Sequence, residues 1–145
     1  LKPENVMVDR RGHAYLLDFD TAKPIPRRPK RYDKTSGTPA YMPPEQLRGR
    51  ALDQRADIYS FGVTAYELLT NRRPHAGNTP EETRKNQLNE NFRLTPASKY
   101  NPGVPSKLNT ILRQCLKFDP NLRFPNLTIL NAQLHAALGV KMEKS

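Results

Sequence analysis

Six of the chain's 14 prolines fall between Thr21 and Pro44, in a stretch with no apolar period of strand or helix. Proline fixes φ and removes a backbone donor, so neither a helix interior nor a central strand can run through such a segment. The chain must cross it as a long loop, and loops of this length are functional or disordered. That loop divides two differently patterned parts. Before it stand Val6-Met7-Val8 and Ala14-Tyr15-Leu16-Leu17, joined by Asp9-Arg10-Arg11-Gly12, a spacing that predicts a β-hairpin.

After it the period becomes helical. From Asp53 onward Ile58, Phe61, Ala65, Leu68 and Leu69 recur at helical spacing, with Ala, Val and Tyr between them. A helix apolar on more than one face is expected to lie centrally and buried. Thr79-Pro80-Glu81-Glu82 combines an N-cap, a first-turn proline and a capping-box glutamate, predicting an exposed helix to about Asn91. Leu108, Ile111, Leu112, Cys115 and Leu116 mark another amphipathic helix. Leu127, Leu130, Leu134 and Leu138 mark a last one, ended by Gly139, with residues 140–145 as a frayed tail.

A length of 145 residues with 36% hydrophobic content suits one domain. The chain begins with Leu1 rather than Met, so a processed chain or a piece of a longer one is expected. With no run of about 18 apolar residues and no apolar stretch behind a basic N-terminus, neither a membrane span nor a signal peptide is expected, and a cytoplasmic location follows. The single cysteine, Cys115, has no internal disulfide partner and is expected as a buried thiol. His13, His75 and His135 lack metal-ligand spacing and are expected at surface or loop positions. The net charge of +10 invites a nucleic-acid partner. Yet the densest basic group, Arg27, Arg28, Lys30 and Arg31, is broken by Pro26 and Pro29 and has no helical period, so no specific nucleic acid is expected.

The residues with chemical potential fall in a definite order. Leu1-Lys2-Pro3-Glu4-Asn5 alone reads as an ordinary turn. The hairpin after it delivers Asp18-Phe19-Asp20 at the end of its second run. Gly37-Thr38-Pro39-Ala40-Tyr41-Met42-Pro43-Pro44-Glu45 follows, then Asp57-Ile58-Tyr59-Ser60-Phe61-Gly62, then Cys115-Leu116-Lys117-Phe118-Asp119-Pro120-Asn121-Leu122-Arg123. In this order the motifs resemble the serine/threonine protein kinase family: the catalytic loop after His-Arg-Asp, the Asp-Phe-Gly segment, the end of the activation segment, the start of the large central helix, and a late loop ending in a buried Arg. The resemblance implies an α+β kinase-like fold, C-terminal lobe only, with a short β-hairpin and activation loop followed by a mostly α-helical body. Residues 1–139 would form one partial kinase domain with its activation segment at 18–45, beginning one residue after the family's catalytic aspartate.

It also implies roles, with ATP and Mg2+ as cofactors and proteins as substrates. Hard magnesium ions want oxygen ligands and take few from the protein, so Asp18 as carboxylate and Asn5 as amide would hold metal. Lys2 would reach the transferring phosphate, which favours serine or threonine as acceptor, and Thr38 would bond to that Lys and to the catalytic Asp. Glu45 would pair with Arg123. Asp57 would accept backbone N–H bonds from the catalytic loop, or else stand as an exposed first-turn acid favoured by the helix dipole. Thr35 and Ser36, in basic surroundings, are candidate regulatory phosphosites.

Several residues depart from the family pattern. Asp20 stands where the family has Gly, and Pro43 where it has Ala. No Gly-rich phosphate loop, Val-Ala-Ile-Lys strand or His-Arg-Asp occurs in these 145 residues. The expectation is a kinase in intact form whose present piece is inactive, with a pseudokinase or non-catalytic scaffold as the alternative.

Overall fold

A computed structural model of the chain describes residues 1–19, 22–24, 27, 28, 31 and 38–140. The hairpin is formed by β1 (Val6–Val8) and β2 (Ala14–Leu16), antiparallel, with Val6 opposite Leu16 and Val8 opposite Ala14. Asp9 closes the turn: its Oδ1 accepts the N–H groups of Arg11 at 2.8 Å and His13 at 2.9 Å, while Gly12 takes the left-handed position at φ 86°. Leu17, expected in the second strand, lies one residue beyond it, although its N–H still donates along the same register to Asn5 O at 2.7 Å.

Among the described residues five α-helices make the body: α1 (Pro44–Leu47), α2 (Arg55–Thr70), α3 (Pro80–Gln87), α4 (Ser106–Cys115) and α5 (Leu127–Leu138). α2 is central and contributes to three apolar clusters. Ile58 packs with Ile111, Cys115, Phe124 and Leu130; Tyr66 with Ala97, Val104, Leu108 and Leu112; Tyr59 and Val63 with Tyr41 and Leu116. Leu68, counted in the sequence stripe, is 63% exposed, and the intervening Tyr59, Val63 and Tyr66 are buried instead. A helix enclosed on several sides can bury tyrosines when their hydroxyls find partners. Tyr66 donates to Thr95 O at 2.8 Å. Gly62 lets α4 come close, since a Cβ there would sit 2.8 Å from Cys115 Cβ. Burial pushes the Cys115 thiol up to about 12, so it stays protonated and serves as packing.

Three boundaries differ from the sequence expectation. The proline-rich loop does not run to Pro44 as irregular chain: Pro39–Tyr41 forms a 3-10 turn and Pro44 opens α1, where its fixed φ suits a first helical turn. Tyr41 and Met42 are buried, so this end of the loop belongs to the core. α3 stops at Gln87 rather than Asn91, because Asn89 accepts the Asn91 N–H on its side chain and the Phe92 N–H on its carbonyl, turning the chain. Thr79 caps α3 by accepting the Glu82 N–H at 3.1 Å, but Glu82 reaches back to the Asn78 N–H at 2.6 Å rather than to the cap residue. In α5, capped by Asn126 and by Gly139 at φ 66°, only Leu130 is buried; Leu127 and Leu138 remain exposed.

Arg123 ties the body together. Its Nη1 and Nη2 donate to the two Glu45 oxygens at 2.7 and 2.9 Å, its Nε to Lys117 O at 2.8 Å, and the remaining N–H groups to Arg55 O at 3.1 Å and Phe118 O at 3.2 Å. All five guanidinium donors are thereby used, as a buried Arg requires. The guanidinium also lies 4.9 Å from the Tyr59 ring centroid, a cation–π distance. With the Arg123 side chain fully buried, Arg123→Ala strands the Glu45 carboxylate and three carbonyls. A loss of about 3–5 kcal/mol is expected in urea unfolding; a loss under about 1 kcal/mol would show that water replaces the pair at little cost.

His75 corrects the surface expectation for the histidines: it is in a loop but only 8% exposed. Its ring stacks on Tyr59 at 6.0 Å and meets Phe92 at 4.9 Å. Burial lowers its pKa from 6.5 to about 4, so the folded chain holds it neutral. The unfolded chain binds the extra proton between those values. Stability from this group is therefore full above pH 6.5 and falls by about 3 kcal/mol as pH drops to 4, then levels. Urea unfolding at pH 7 and pH 4.5 is expected to show a larger acid loss in the parent than in His75→Phe; equal losses would place the titration elsewhere.

Candidate functional site

The site is assembled on one side of α2. The Pro3–Asn5 turn and the Pro39–Tyr41 turn both pack against this helix, which brings the first residues of the chain beside the end of the proline-rich segment. Electrostatics agrees with that proximity, since the Glu4 charge is among those acting on the Tyr41 hydroxyl.

Asn5 is fixed by two backbone bonds. Its N–H donates to Lys2 O at 3.0 Å, closing the turn that Pro3 begins, and its O accepts the Leu17 N–H at 2.7 Å. The second bond places Asn5 next to the hairpin exit and hence one residue from Asp18. Asp18 takes φ 61°, a left-handed conformation that Asp tolerates better than most residues but that still carries strain. Such strain persists only where the surroundings impose it. Asp18 and Phe19 are exposed at this exit.

One carboxylate and one amide are hard oxygen donors of the kind magnesium takes, with water or phosphate completing the shell. Among the described residues no three His, Cys, Asp or Glu side chains gather as a metal cluster. The set thus suits a cation that keeps few protein ligands and does not suit a structural zinc site.

Thr38 stands at the cap position of the Pro39–Tyr41 turn, with its O accepting the Tyr41 N–H at 3.0 Å and its side chain exposed. That turn is anchored from three directions. The Tyr41 hydroxyl donates to Glu67 Oε2 at 2.6 Å, Ser60 Oγ donates to Tyr41 O at 2.9 Å, and Gln87 Nε2 donates to Pro39 O and Ala40 O at 3.0 and 3.1 Å. Burial and the Glu67 carboxylate raise the Tyr41 pKa well above the ordinary phenol value, so it remains a donor. Four residues downstream of Tyr41, Glu45 meets Arg123 in the bidentate pair described above.

Asp57 sits in the first turn of α2 and is exposed; among the described residues no backbone N–H donates to its carboxylate. Desolvation raises its pKa, and the Leu1 amine acts in the opposite sense. A different acid braces the start of this helix from the residue before its N-cap Gln54: Asp53 Oδ1 accepts the Arg55 N–H at 2.9 Å, and the Arg55 guanidinium grips Asp53 and reaches Asn121 Oδ1 at 2.9 Å. Thr35, Ser36 and Asp20 lie outside the described residues.

Tyr41, Glu67 and Gln87 hold the site's second wall, and none was singled out as a site residue from sequence. Gln87 lies on a uniformly polar helix, and no local period distinguishes it from its exposed neighbours.

The protein kinase domain family model matches residues 1–135. A probable serine/threonine-protein kinase of Streptomyces coelicolor is 30% identical over 141 residues, covering 95% of this chain and 21% of the relative. PksC, a serine/threonine-protein kinase of the same organism, is 33% identical over 129 residues, covering 87% and 23%. PknB, a serine/threonine-protein kinase of Mycolicibacterium smegmatis, is 28% identical over 137 residues, covering 92% and 22%. The chain thus spans less than a quarter of the length of these curated relatives. With a family model covering nearly all of its residues and a two-stranded sheet leading into a helical body, the chain belongs to the protein kinase domain family.

Proposed function

We propose that the chain is the C-terminal lobe of a serine/threonine protein kinase, whose intact parent moves the γ-phosphoryl group of ATP to serine or threonine hydroxyls of protein substrates. The observation that supports this best is the Leu17 N–H to Asn5 O bond, which sets an amide and a carboxylate at the meeting of two loops. The names of the relatives, each a serine/threonine-protein kinase, point the same way.

In this reading Asn5 and Asp18 hold magnesium, which supplies neutralisation of the charge on the nucleotide phosphates. Lys2 sets its ammonium against the oxygens of the group in transfer, three residues before Asn5. Thr38 orients the acceptor side, on a turn that Glu67, Ser60 and Gln87 keep in place. Glu45 and Arg123 join that turn to the helical body, and Asp57 carries its negative charge toward the loop containing Lys2. Positioning of this kind is most of what a protein contributes to phosphoryl transfer. No helix among the described residues is long and apolar enough to cross a membrane.

A second reading rests on Asp20. In sequence a carboxylate replaces the family's Gly two residues after Asp18, and the loss of glycine's conformational freedom favours a pseudokinase that binds partners without chemistry. A phosphotransfer assay on the parent protein, with upstream kinase residues present, separates the two. Turnover is expected, and Asp18→Asn is expected to lower kcat/KM by about 100-fold or more with an unchanged melting temperature. An inactive parent that still binds its partners would favour the second reading, and full turnover by the variant would remove Asp18 from the metal role. The purified 145-residue chain is expected to transfer no label above background, since it lacks the phosphate loop, the Lys and Glu pair and the catalytic Asp that the reaction needs together.

A further inference from the structure

On another face of the body, between α3, α4 and the start of α1, lies a half-open cavity of about 290 Å³. Its inner wall includes the Tyr59, His75 and Phe92 rings together with Gln87. Three of these, Tyr59, His75 and Gln87, are more than nine-tenths buried.

The polar atoms on that wall are only half used. Tyr59 is almost fully buried, and its hydroxyl lies 3.4 Å from His75 Nδ1. The phenol satisfies its own hydrogen only by donating to that nitrogen, which leaves Nε2 carrying the imidazole proton. No acceptor for Nε2 stands among the described residues. Gln87 has the complementary excess: its Nε2 serves the carbonyls of Pro39, Ala40 and, at 3.5 Å, Met42, which fixes the amide orientation, and among the described residues nothing donates to its Oε1. Among the described residues, neither atom is a fully enclosed one left without a partner. The wall therefore offers one N–H donor and one carbonyl acceptor beside aromatic faces. The rim is cationic, with Arg93, Arg113 and Lys117 against the single acid Glu90.

We propose that this cavity binds a small aromatic hydroxy acid, its flat ring against the half-buried Phe92 side chain, its hydroxyl between His75 Nε2 and Gln87 Oε1, and its carboxylate at the Arg113 and Lys117 rim. A hydroxyl both accepts and donates, which matches the two unused wall atoms. A ring fills mixed aromatic space that bare phosphate leaves empty, and a carboxylate answers the rim. The site uses none of Lys2, Asn5, Asp18 or Thr38, so it stands whether or not the protein transfers phosphate.

The test titrates the protein, as its own gene encodes it, with 4-hydroxyphenylacetate, phenylacetate, 4-hydroxyphenylacetamide and inorganic phosphate, by calorimetry. Saturable one-to-one binding of the first is expected, weakened about tenfold on removing either the hydroxyl or the charge, and negligible for phosphate. His75→Phe keeps a flat ring but removes the donor, and is expected to bind the hydroxylated and unhydroxylated acids equally. Arg113→Gln with Lys117→Gln, both exposed, is expected to bind the acid and the amide equally while keeping the hydroxyl preference. Should His75→Phe fail to fold, the rim variant supplies the same comparison for charge. Non-saturable binding, phosphate binding as tight as the acid, or undiminished discrimination in the variants would overturn the proposal.

Discussion

A buried guanidinium is tolerable only when every N–H has an acceptor, and the rest of the body is arranged around meeting that demand at Arg123. Its five bonds reach α1, the first residue of α2 and the loop after α4, three segments that otherwise share little backbone pairing. The pair is weak evidence for net stability, because desolvating both ions offsets much of the attraction. Its effect is positional. By fixing Glu45 it fixes where the chain arrives after Met42, and so fixes the turn that carries Thr38.

α2 acts as the second constraint. It buries residues on several sides, presents Ser60 to Tyr41 O and Glu67 to the Tyr41 hydroxyl, and supports the Pro3–Asn5 turn nearer its start. The candidate site therefore rests on a rigid helix even though its own residues lie on loops, an arrangement suited to holding groups at fixed separation without burying them.

Much of the fold was legible because its signals are local. β-branched and aromatic runs around Gly12, the Thr79 cap and the Gly139 stop each act within a few residues, and the helices they mark are present. Where the reading failed, distant groups decide. Nothing near Pro74 and His75 indicates that a ring from α2 and Phe92 will enclose the imidazole. The proline-rich segment hides the burial of Tyr41, since the surfaces that cover it come from α2 and from Leu116 just after α4. Of the candidate site, Lys2, Asn5, Asp18 and Thr38, together with the Glu45–Arg123 pair 78 residues apart, were identifiable only through their order along a family pattern and through no spacing rule. The end of α3 was missed for a smaller reason: a side-chain bond at Asn89 diverts the chain where composition alone would continue the helix.

The hairpin has a thermodynamic character unlike that of the helices it adjoins. Met7, Val8, Tyr15 and Leu16 are about half exposed or more, and the three apolar clusters draw nothing from β1 or β2. A two-stranded sheet with so little covered surface is marginal by itself. Its amides should therefore exchange with solvent through a local opening that leaves the α2 core closed, and the separation of Asn5 from Asp18 would fluctuate with that opening rather than with global unfolding. Order at the candidate metal residues then becomes something a bound ligand or a covering surface can add, as a free energy separate from the stability of the body.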